Sequence, residues 1–313
     1  MIKYTKKTYK LFNIIPLLKV ENKYTQQTIL LFGFIPLIKI KGYNKIDERT
    51  KNLEDDKNIN PYIYDNPNDK QIYPNMKILV AYHKPAQLFQ HKILLPIHLG
   101  RKVAKETATT SAGTFTNNDV AVKWLHDNMI GDDTGDNISD LNRQFNEMTG
   151  IYWAWKNYDK IGNPDYIGSY HYARLFTFDI IKDVANYDMI VAKDYFWKNY
   201  IKKKISVEDQ LLNNIFEKMH PNEYKDFTDS IKIPTFLYSK NMFIMKKELF
   251  FEYCEWLFPI LFEIQKNIEK DGGVKKYETR CVGLCAEHLT SYFLWKKAQD
   301  KSIKWKETEK IEI

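Results

Sequence analysis

Cysteine is scarce in this chain, which has 313 residues and only three thiols, at Cys254, Cys281 and Cys285. An odd number of cysteines without a secretory signal predicts reduced thiols in the cytoplasm. Cys281 and Cys285 are spaced to share one helix face, but no second Cys/His pair accompanies them, which argues against a zinc site. We therefore expect all three to be small buried residues.

Long apolar runs are also missing. The N-terminal region has two runs of about ten apolar residues, whereas a spanning helix needs roughly 20. Pro16 and Pro36 interrupt these runs, and no small-residue cleavage site follows them. The sequence therefore predicts neither a transmembrane helix nor a secretory signal.

Most of the chain has no excess of positive charge. The formal net charge is +7. Residues 1–50 hold ten lysines and arginines against three acids, which accounts for the whole excess. Because residues 51–313 are neutral overall, they lack the basic surplus that neutralises phosphates in nucleic-acid-binding domains. We expect no nucleic-acid partner.

Arginine is rare relative to lysine. Five arginines stand against 42 lysines, and they are Arg49, Arg101, Arg143, Arg174 and Arg280. In such a chain an arginine is a candidate for a site that needs its fixed, bidentate guanidinium fork. Arg174 and Arg280 lie in segments that carry other candidate site residues.

The first 40 residues contain an internal repeat. Residues 11–20 (LFNIIPLLKV) align with residues 31–40 (LFGFIPLIKI), and six of the ten positions are identical. One interpretation is an apolar and basic hairpin at residues 1–42 that lies on an anionic membrane surface, at the cytoplasmic face. The other is a β-hairpin that packs on the main domain. Residues 43–75 are polar and predict a linker, followed by the main domain at 76–313.

The main domain alternates predicted strands with predicted helices. Strand-like runs lie at residues 77–82, 165–170, 187–192 and 241–245, and helices are predicted at about 142–158, 247–270 and 281–298. This alternation predicts an α/β sandwich. Tyr82, His83 and Lys84 close the first strand, where nucleotide-binding α/β domains place their ligands.

Three polar segments carry candidate chemistry. The loop at residues 130–140 holds Asp132, Asp133, Asp136 and Asn137, which can bind a divalent cation or sugar hydroxyls, or can form a solvated turn. In the second segment, the strand at 165–170 places His171, Tyr172 and Arg174 at its carboxyl end. There Arg174 can clamp a diphosphate and His171 can ligate a metal or donate to a phosphate. The third segment, at 280–288, offers Glu287 as a base for an acceptor hydroxyl.

These segments resemble a family of bacterial capsular and exopolysaccharide glycosyltransferases first catalogued as a domain of unknown function. The matching blocks are residues 131–139 with 147–157, 165–176 and 280–289, together with residues 82–85, so the resemblance covers about 76–298. It implies a GT-A-like α/β fold and a UDP-linked sugar donor, with a galactofuranose-type sugar suggested. The implied acceptor is a glycan or lipid-linked glycan.

The sequence departs from the family pattern in two places. The second block usually reads H-Y-R-R-Y-F, but Ala173 and Leu175 replace an arginine and a tyrosine here. In the third block, His288 stands where an arginine usually follows the glutamate. We expect these changes to affect donor or acceptor identity more than the reaction class.

Residue roles follow from the three segments and the resemblance. We expect catalysis from Glu287 and Asp136. We assign the acceptor sugar to Trp153, Trp155 and Lys156. Donor binding is assigned to residues from every segment, namely Tyr82, His83, Lys84, Asp132, Asp133, Asn137, His171, Tyr172, Arg174 and Arg280.

The role of a metal stays open at this level. Many GT-A enzymes hold Mg²⁺ or Mn²⁺ with an Asp-x-Asp pair, and none follows the second predicted strand. Either Arg174 replaces the cation's charge, or a metal is held by Asp132, Asp133 or Asp136 with His171. An alternative from another class is a non-catalytic carbohydrate-binding scaffold of polysaccharide assembly, which would not need the Arg174 and Glu287 pair.

Overall fold

The computed structural model describes two parts of the chain. The first consists of residues 5–11, 15–23, 26–31 and 35–41; the second consists of residues 73–89, 91–110, 113–176, 181, 183–192, 206–231, 239–272, 276–308 and 310–312. The predicted linker at 43–75 lies outside the described residues, except for its last three. Contacts divide the chain into two compact units, one built from residues 1–59 with 109–115 and the other from the remainder up to residue 312.

The N-terminal repeat forms a four-stranded antiparallel sheet. Its strands run in chain order and are β1 (Thr5–Leu11), β2 (Ile15–Lys23), β3 (Gln26–Leu31) and β4 (Ile35–Lys41). Each copy of the repeat is one hairpin, so the duplication yields two hairpins rather than the single one expected. Pro16 and Pro36 occupy equivalent positions, each beside an irregularity of register in the strand it pairs with, as is usual for proline in a sheet.

The main unit is built on a larger sheet. Its strands are β5 (Met76–Tyr82), β6 (Leu94–His98), β9 (Ile130–Gly131), β10 (Tyr166–His171), β11 (Arg174–Phe176), β12 (Met189–Ala192), β13 (Phe243–Lys246), β14 (Trp305–Thr308) and β15 (Lys310–Glu312). A separate ribbon pairs β7 (Ala108–Thr110) with β8 (Gly113–Phe115). The four predicted strands are confirmed as β5, β10, β12 and β13. Sequence reasoning missed β6, which contains a proline, β9, which has only two residues, and β14, which is polar.

The sheet is mostly parallel. Its order is β14-β12-β13-β10-β5-β6-β9, and only β13 in this path runs antiparallel to its neighbours. The chain moves outward from β5 to β6 and β9, then returns to the opposite side of β5 to form β10. Ligands of open α/β sheets bind where the strand order reverses in this way, outside the carboxyl ends of the strands. That point lies between β5 and β10.

Seven α-helices are described. They are α1 (Asp119–Asn128), α2 (Asn142–Phe145), α3 (Met148–Lys156), α4 (Val207–Met219), α5 (Tyr224–Ile231), α6 (Lys247–Lys270) and α7 (Cys281–Gln299). The predicted helices at 247–270 and 281–298 are confirmed within one residue. The helix predicted over 142–158 is divided into α2 and α3. None of the described helices is both long enough and apolar enough to cross a membrane.

The core has one layer on each face of the sheet. Alternate residues of β5 enter different clusters: Leu79 and Ala81 join one, and Ile78 and Val80 join the other. The first layer is the larger because α6 and α7 bury their apolar residues in it. This alternation confirms the predicted α/β sandwich. The three cysteines are free and buried, as expected, and burial raises the pKa of the Cys254 thiol well above its ordinary value.

Candidate functional site

The carboxyl ends of β5 and β10 meet at one edge of the sheet. The parallel register pairs Ala81 of β5 with His171, the last residue of β10. His83 and Lys84 follow β5 directly, and the antiparallel strand β13 begins at the same edge, just after Lys240 and Asn241. Side chains from distant parts of the sequence therefore converge here.

A break in the helix adds a carboxylate to this edge. Asn146 separates α2 from α3 with φ 50° and ψ −127°, a conformation that non-glycine residues seldom adopt. The Asn142 side chain donates to the Asn146 carbonyl at 2.8 Å and holds the break. Glu147 follows at once, and its Oε1 accepts a hydrogen bond from Asn241 Nδ2 at 2.7 Å.

Lys240 and Asn241 form a left-handed corner that connects three side chains. Their φ values are 70° and 51°. The Lys240 carbonyl accepts a hydrogen bond from His171 Nε2 at 2.8 Å. The Lys240 backbone N–H lies 3.4 Å from Glu287 Oε2, and its Nζ lies 3.7 Å from the same oxygen. The corner, Glu147, His171 and Glu287 are called the corner cluster below.

Cations surround His83 beside this cluster. Burial lowers the pKa of His83 to about 3, and the positive charges of Lys84, His171, Arg143 and Arg280 lower it further. His83 is therefore neutral at physiological pH. The same electrostatic effects indicate that each of these four groups lies close to His83, which follows β5 directly. We call them, with His83, the cationic edge.

Arg143 extends the positive charge toward β6. Its guanidinium donates to the carbonyls of Val103 and Glu106, the latter at 3.0 Å. Within the described part of the chain, no carboxylate lies within ion-pair distance of Arg101, Arg143 or Arg280. These three arginines therefore carry positive charge that no described carboxylate neutralises by direct contact.

A buried histidine lies at the end of β6. His98 is fully buried, and neither ring nitrogen has a hydrogen-bond partner among the described residues. Burial lowers the pKa of His98 to about 3, and His126, Arg101 and Arg143 lower it further. Its ring contacts that of His126 with 5.6 Å between centroids.

Asp132 ties the polar loop to the sheet. Its two oxygens accept four hydrogen bonds, from the Gly100 N–H (2.8 Å), the Arg101 N–H (3.1 Å), Ser139 Oγ (2.5 Å) and Thr149 Oγ1 (2.6 Å). The side chain is fully buried. Both oxygens are thus occupied by groups of the fold itself, and Asp132 connects β9, the end of β6 and α3.

The other loop residues are more exposed. Asn137 Nδ2 donates to the carbonyls of Asp133 (3.2 Å) and Gly135 (2.8 Å), which closes a turn. Asp136 is exposed, and its Oδ1 accepts from Tyr152 Oη at 3.1 Å. Burial and the nearby Asp136 carboxylate raise the pKa of Tyr152 to about 12. No described contact joins Asp136 to the corner cluster.

Aromatic residues from β5 and from the turn after β10 pack beside the cationic edge. Tyr82 is buried and stacks on Tyr172 with 5.5 Å between ring centroids, and Tyr172 also contacts the ring of His83 at 5.3 Å. Arg174 faces His171 in the β10–β11 register and pairs through its backbone with Glu312. Tyr82, His83, His171 and Tyr172 are thus brought together, and their role in donor binding stays a prediction.

The predicted acceptor residues lie along α3. Trp153 is buried, and its Nε1 donates to the Thr134 carbonyl at 2.9 Å. Trp155 stacks on Phe258 of α6, with 5.6 Å between centroids and 5° between planes. Lys156 Nζ lies 3.6 Å from the centroid of the Trp155 ring. No described contact joins these residues to the corner cluster.

The residues proposed for a metal are not grouped into one metal site. Four donors occupy Asp132, Asp136 contacts Tyr152, and His171 Nε2 donates to a carbonyl. Across the described ranges, no three His, Cys, Asp or Glu side chains are grouped for metal binding. A divalent cation is therefore given no part in the site developed below.

Sequence reasoning missed four residues of this site: Arg143, Glu147, Lys240 and Asn241. The rarity of arginine could have identified Arg143, since only five arginines occur. Glu147 was hidden because the apolar stripe from Phe145 to Trp155 predicts an unbroken helix. No signal in the sequence indicates two consecutive left-handed residues at 240 and 241.

Comparison with known proteins gives one family and one solved structure. Residues 77–299 match the family described as "Domain of unknown function (DUF4422)". The apo structure of WbbM, a bifunctional glycosyltransferase, superposes with a TM-score of 0.60 at 25% identity, covering 77% of this chain and 45% of that one. This chain thus spans less than half the length of WbbM. No curated protein matches it.

The likeness to WbbM bears on the fold. It supports the GT-A-like arrangement of the mostly parallel sheet, which confirms the predicted fold class.

Replacing Asp132 tests the tie between the loop and the sheet. We expect Asp132→Asn to lower the free energy of unfolding by about 2–4 kcal/mol, because the amide cannot accept all four hydrogen bonds and leaves buried donors unpaired. Asp140→Asn is the matched control in the same loop. Asp140 is exposed, and its ion pair with Lys102 is long, at 3.7 Å. Its replacement should therefore change the free energy of unfolding by less than about 0.5 kcal/mol. Equal effects in urea unfolding would contradict the assignment.

The buried His98 predicts acid sensitivity. The pKa of His98 in the folded state is below the ordinary value of 6.5. The unfolded state therefore binds a proton at a pH where His98 in the folded state stays neutral. Stability is lost as the pH falls below about 6.5. We expect the fall in unfolding free energy between pH 7 and pH 5 to be about 2 kcal/mol smaller in His98→Gln than in the wild type. Urea unfolding at both pH values measures this, and an unchanged fall would refute the prediction.

Proposed function

The chain belongs to the DUF4422 family, and we propose that it is a glycosyltransferase that moves a sugar from a nucleotide-sugar donor to a capsular or surface polysaccharide. The observation that supports this most strongly is the cationic edge, where four positive groups meet around His83 without a described carboxylate partner for Arg143 or Arg280. The diphosphate of a nucleotide sugar carries the negative charge that this arrangement requires. We propose a UDP-linked donor, with a galactofuranose-type sugar.

Side chains supply the charge that stabilises the leaving group in this proposal. The guanidinium groups of Arg280 and Arg174 bind phosphate oxygens, and Lys84 and His171 add further donors. The N-terminus of α7 starts directly after Arg280 and adds a partial positive charge. Cations held in place stabilise the negative charge that develops on the diphosphate as the bond to the sugar breaks.

Aromatic and carboxylate groups complete the proposed site. Tyr172, which stacks on the fully buried Tyr82, forms a wall next to His83 against which a sugar or base can pack. Glu287 contacts Lys240 and Glu147 contacts Asn241. The acceptor hydroxyl is therefore proposed to enter beside these two carboxylates. Asp136, Trp153, Trp155 and Lys156 have partners within the loop and α3, and we propose that they shape the site's surroundings.

The N-terminal repeat is proposed to hold the enzyme on the inner face of the cell membrane. The register of the four strands pairs apolar positions, such as Leu18 with Leu31 and Ile29 with Ile38. The same segment carries the entire excess of positive charge. Apolar residues beside lysines are typical of elements that bind anionic lipid surfaces. There the enzyme would meet a lipid-linked glycan acceptor.

A nucleotide screen tests the donor site. We expect UDP to raise the melting temperature of the full chain, and Arg280→Ala to weaken UDP binding about 10–100-fold because one charge-assisted hydrogen bond is lost. Lys296→Ala is the matched control: it removes a cation from the same helix, where Lys296 pairs with Glu223 at 2.7 Å, and should bind UDP like the wild type.

Two results would contradict the donor site. If no nucleoside diphosphate stabilises the wild type, the non-catalytic scaffold is favoured instead. If Arg280→Ala binds UDP as tightly as the wild type, the diphosphate is bound elsewhere.

Vesicle sedimentation tests the membrane proposal. The full chain should sediment with phosphatidylglycerol vesicles and a chain lacking residues 1–42 should not, with roughly a tenfold difference in the bound fraction at low salt. Phosphatidylcholine vesicles serve as the neutral control, and added salt should weaken binding. Unchanged sedimentation of the shortened chain would show that the repeat is not the anchor.

A further inference from the structure

We propose that Glu147 is the catalytic base that removes the proton from the acceptor hydroxyl, an inference that rests on the proposed glycosyltransferase function. The sequence assigned this role to Glu287 and gave none to Glu147. Four features of the structure support the exchange: the helix break, the hydrogen bonds of the carboxylate, the distribution of cations and the proximity of His171.

The helix break presents Glu147 to the site. A continuous helix over 142–158 would give residue 147 an ordinary helical position. Instead, Asn146 adopts a strained conformation, and Asn142 supports it from one side. On the other side the backbone of α7 comes so close that a side chain at Gly283 would overlap that of Asn146. Strain maintained by the surrounding structure is typical of functional positions.

The Glu147 carboxylate is oriented but keeps the capacity to accept a proton. Oε1 accepts from Asn241 Nδ2 at 2.7 Å, and Asn241 is fully buried and therefore fixed. Oε2 has no hydrogen bond to any residue that the structure describes. The Glu147 side chain is 11% exposed. It is therefore mostly buried but still open to solvent, so a bound hydroxyl can contact it.

Glu287 differs because a cation holds it. Lys240 contacts Glu287 Oε2 through both its ammonium group and its backbone N–H. No lysine or arginine in the described ranges lies within 4.0 Å of Glu147; its only ion-pair contact is with His171. Glu287 Oε2 is therefore already engaged by the corner, whereas Glu147 Oε2 has no hydrogen bond to a described residue. Glu287 is thus a positioning residue that fixes the Lys240–Asn241 corner.

His171 places Glu147 next to the donor site. The Lys240 carbonyl can only accept, so His171 Nε2 must carry the proton in that hydrogen bond. The same Nε2 lies 4.0 Å from Glu147 Oε1, and His171 belongs to the cationic edge. A sugar whose diphosphate lies at the cationic edge would therefore have its reacting carbon close to Glu147.

The proposed step balances as follows. The acceptor hydroxyl oxygen forms a bond to the anomeric carbon while its proton passes to Glu147 Oε2. The bond between that carbon and the diphosphate oxygen breaks, and its electron pair leaves with the nucleoside diphosphate. The Glu147 proton then returns to solvent, and the carboxylate is restored. General base catalysis of this kind contributes about 10²–10⁴-fold to the rate.

Glu147→Gln tests the assignment in the full chain, because the amide oxygen can still accept from Asn241. Release of UDP from UDP-glucose, UDP-galactose and UDP-galactofuranose is measured with alkyl glycosides or water as acceptor. We expect kcat to fall about 10²–10⁴-fold while UDP raises the melting temperature as in the wild type. Glu287→Gln should lower kcat less, and Glu248→Gln, which alters an exposed glutamate of α6, should leave it unchanged.

Glu147→Asp separates catalysis from folding. It keeps a carboxylate at the break, so it should recover more than tenfold of the activity lost in Glu147→Gln. Turnover by Glu147→Gln within tenfold of the wild type would overturn the inference, as would a larger loss in Glu287→Gln. If the wild type neither binds UDP nor releases it from any of the three donors, the proposed function fails, and the assignment of a base fails with it.

Discussion

Two consecutive residues in the left-handed conformation, Lys240 and Asn241, hold the proposed site together. Their backbone and side chains contact His171 from β10, Glu147 from the break between α2 and α3, and Glu287 from α7. Non-glycine residues in this region of φ and ψ cost of order 1–3 kcal/mol each. The contacts with three separate elements offset that cost and couple the site to the central strand pair.

The Lys240–Asn241 corner fixes the positions of the Glu147 and Glu287 carboxylates. Burial determines the charge of the neighbouring His83. His83 is kept neutral by burial and by the cations around it, so it packs against Tyr172 without adding further repulsion. Lys84, Arg143 and Arg280 bring positive charge close to His83, and like charges held near one buried site repel one another. A bound diphosphate would relieve this repulsion, and the interaction is strong because the surroundings are partly buried and have a low effective dielectric constant.

The sequence allowed the architecture to be predicted better than the site. Buried strands such as β5 and the long helix α6 are continuous apolar patterns, and local periodicity is sufficient to identify them. Strand β9 has two residues and is defined by its pairing with β6, so local patterns could not reveal it. The role of Asp132 was hidden for the same reason: its four donors come from three segments that are distant in sequence. Glu147 required a helix break that propensity and periodicity both argue against.

The central claim is that side-chain cations at the carboxyl ends of β5 and β10 bind the donor diphosphate. Calorimetric titration of UDP into the full chain, first with EDTA and then with added Mg²⁺, tests it most directly. The account predicts that UDP binds in EDTA with an affinity within about threefold of that in Mg²⁺, and more weakly as salt is raised. Binding that is lost in EDTA and restored by Mg²⁺ would contradict it.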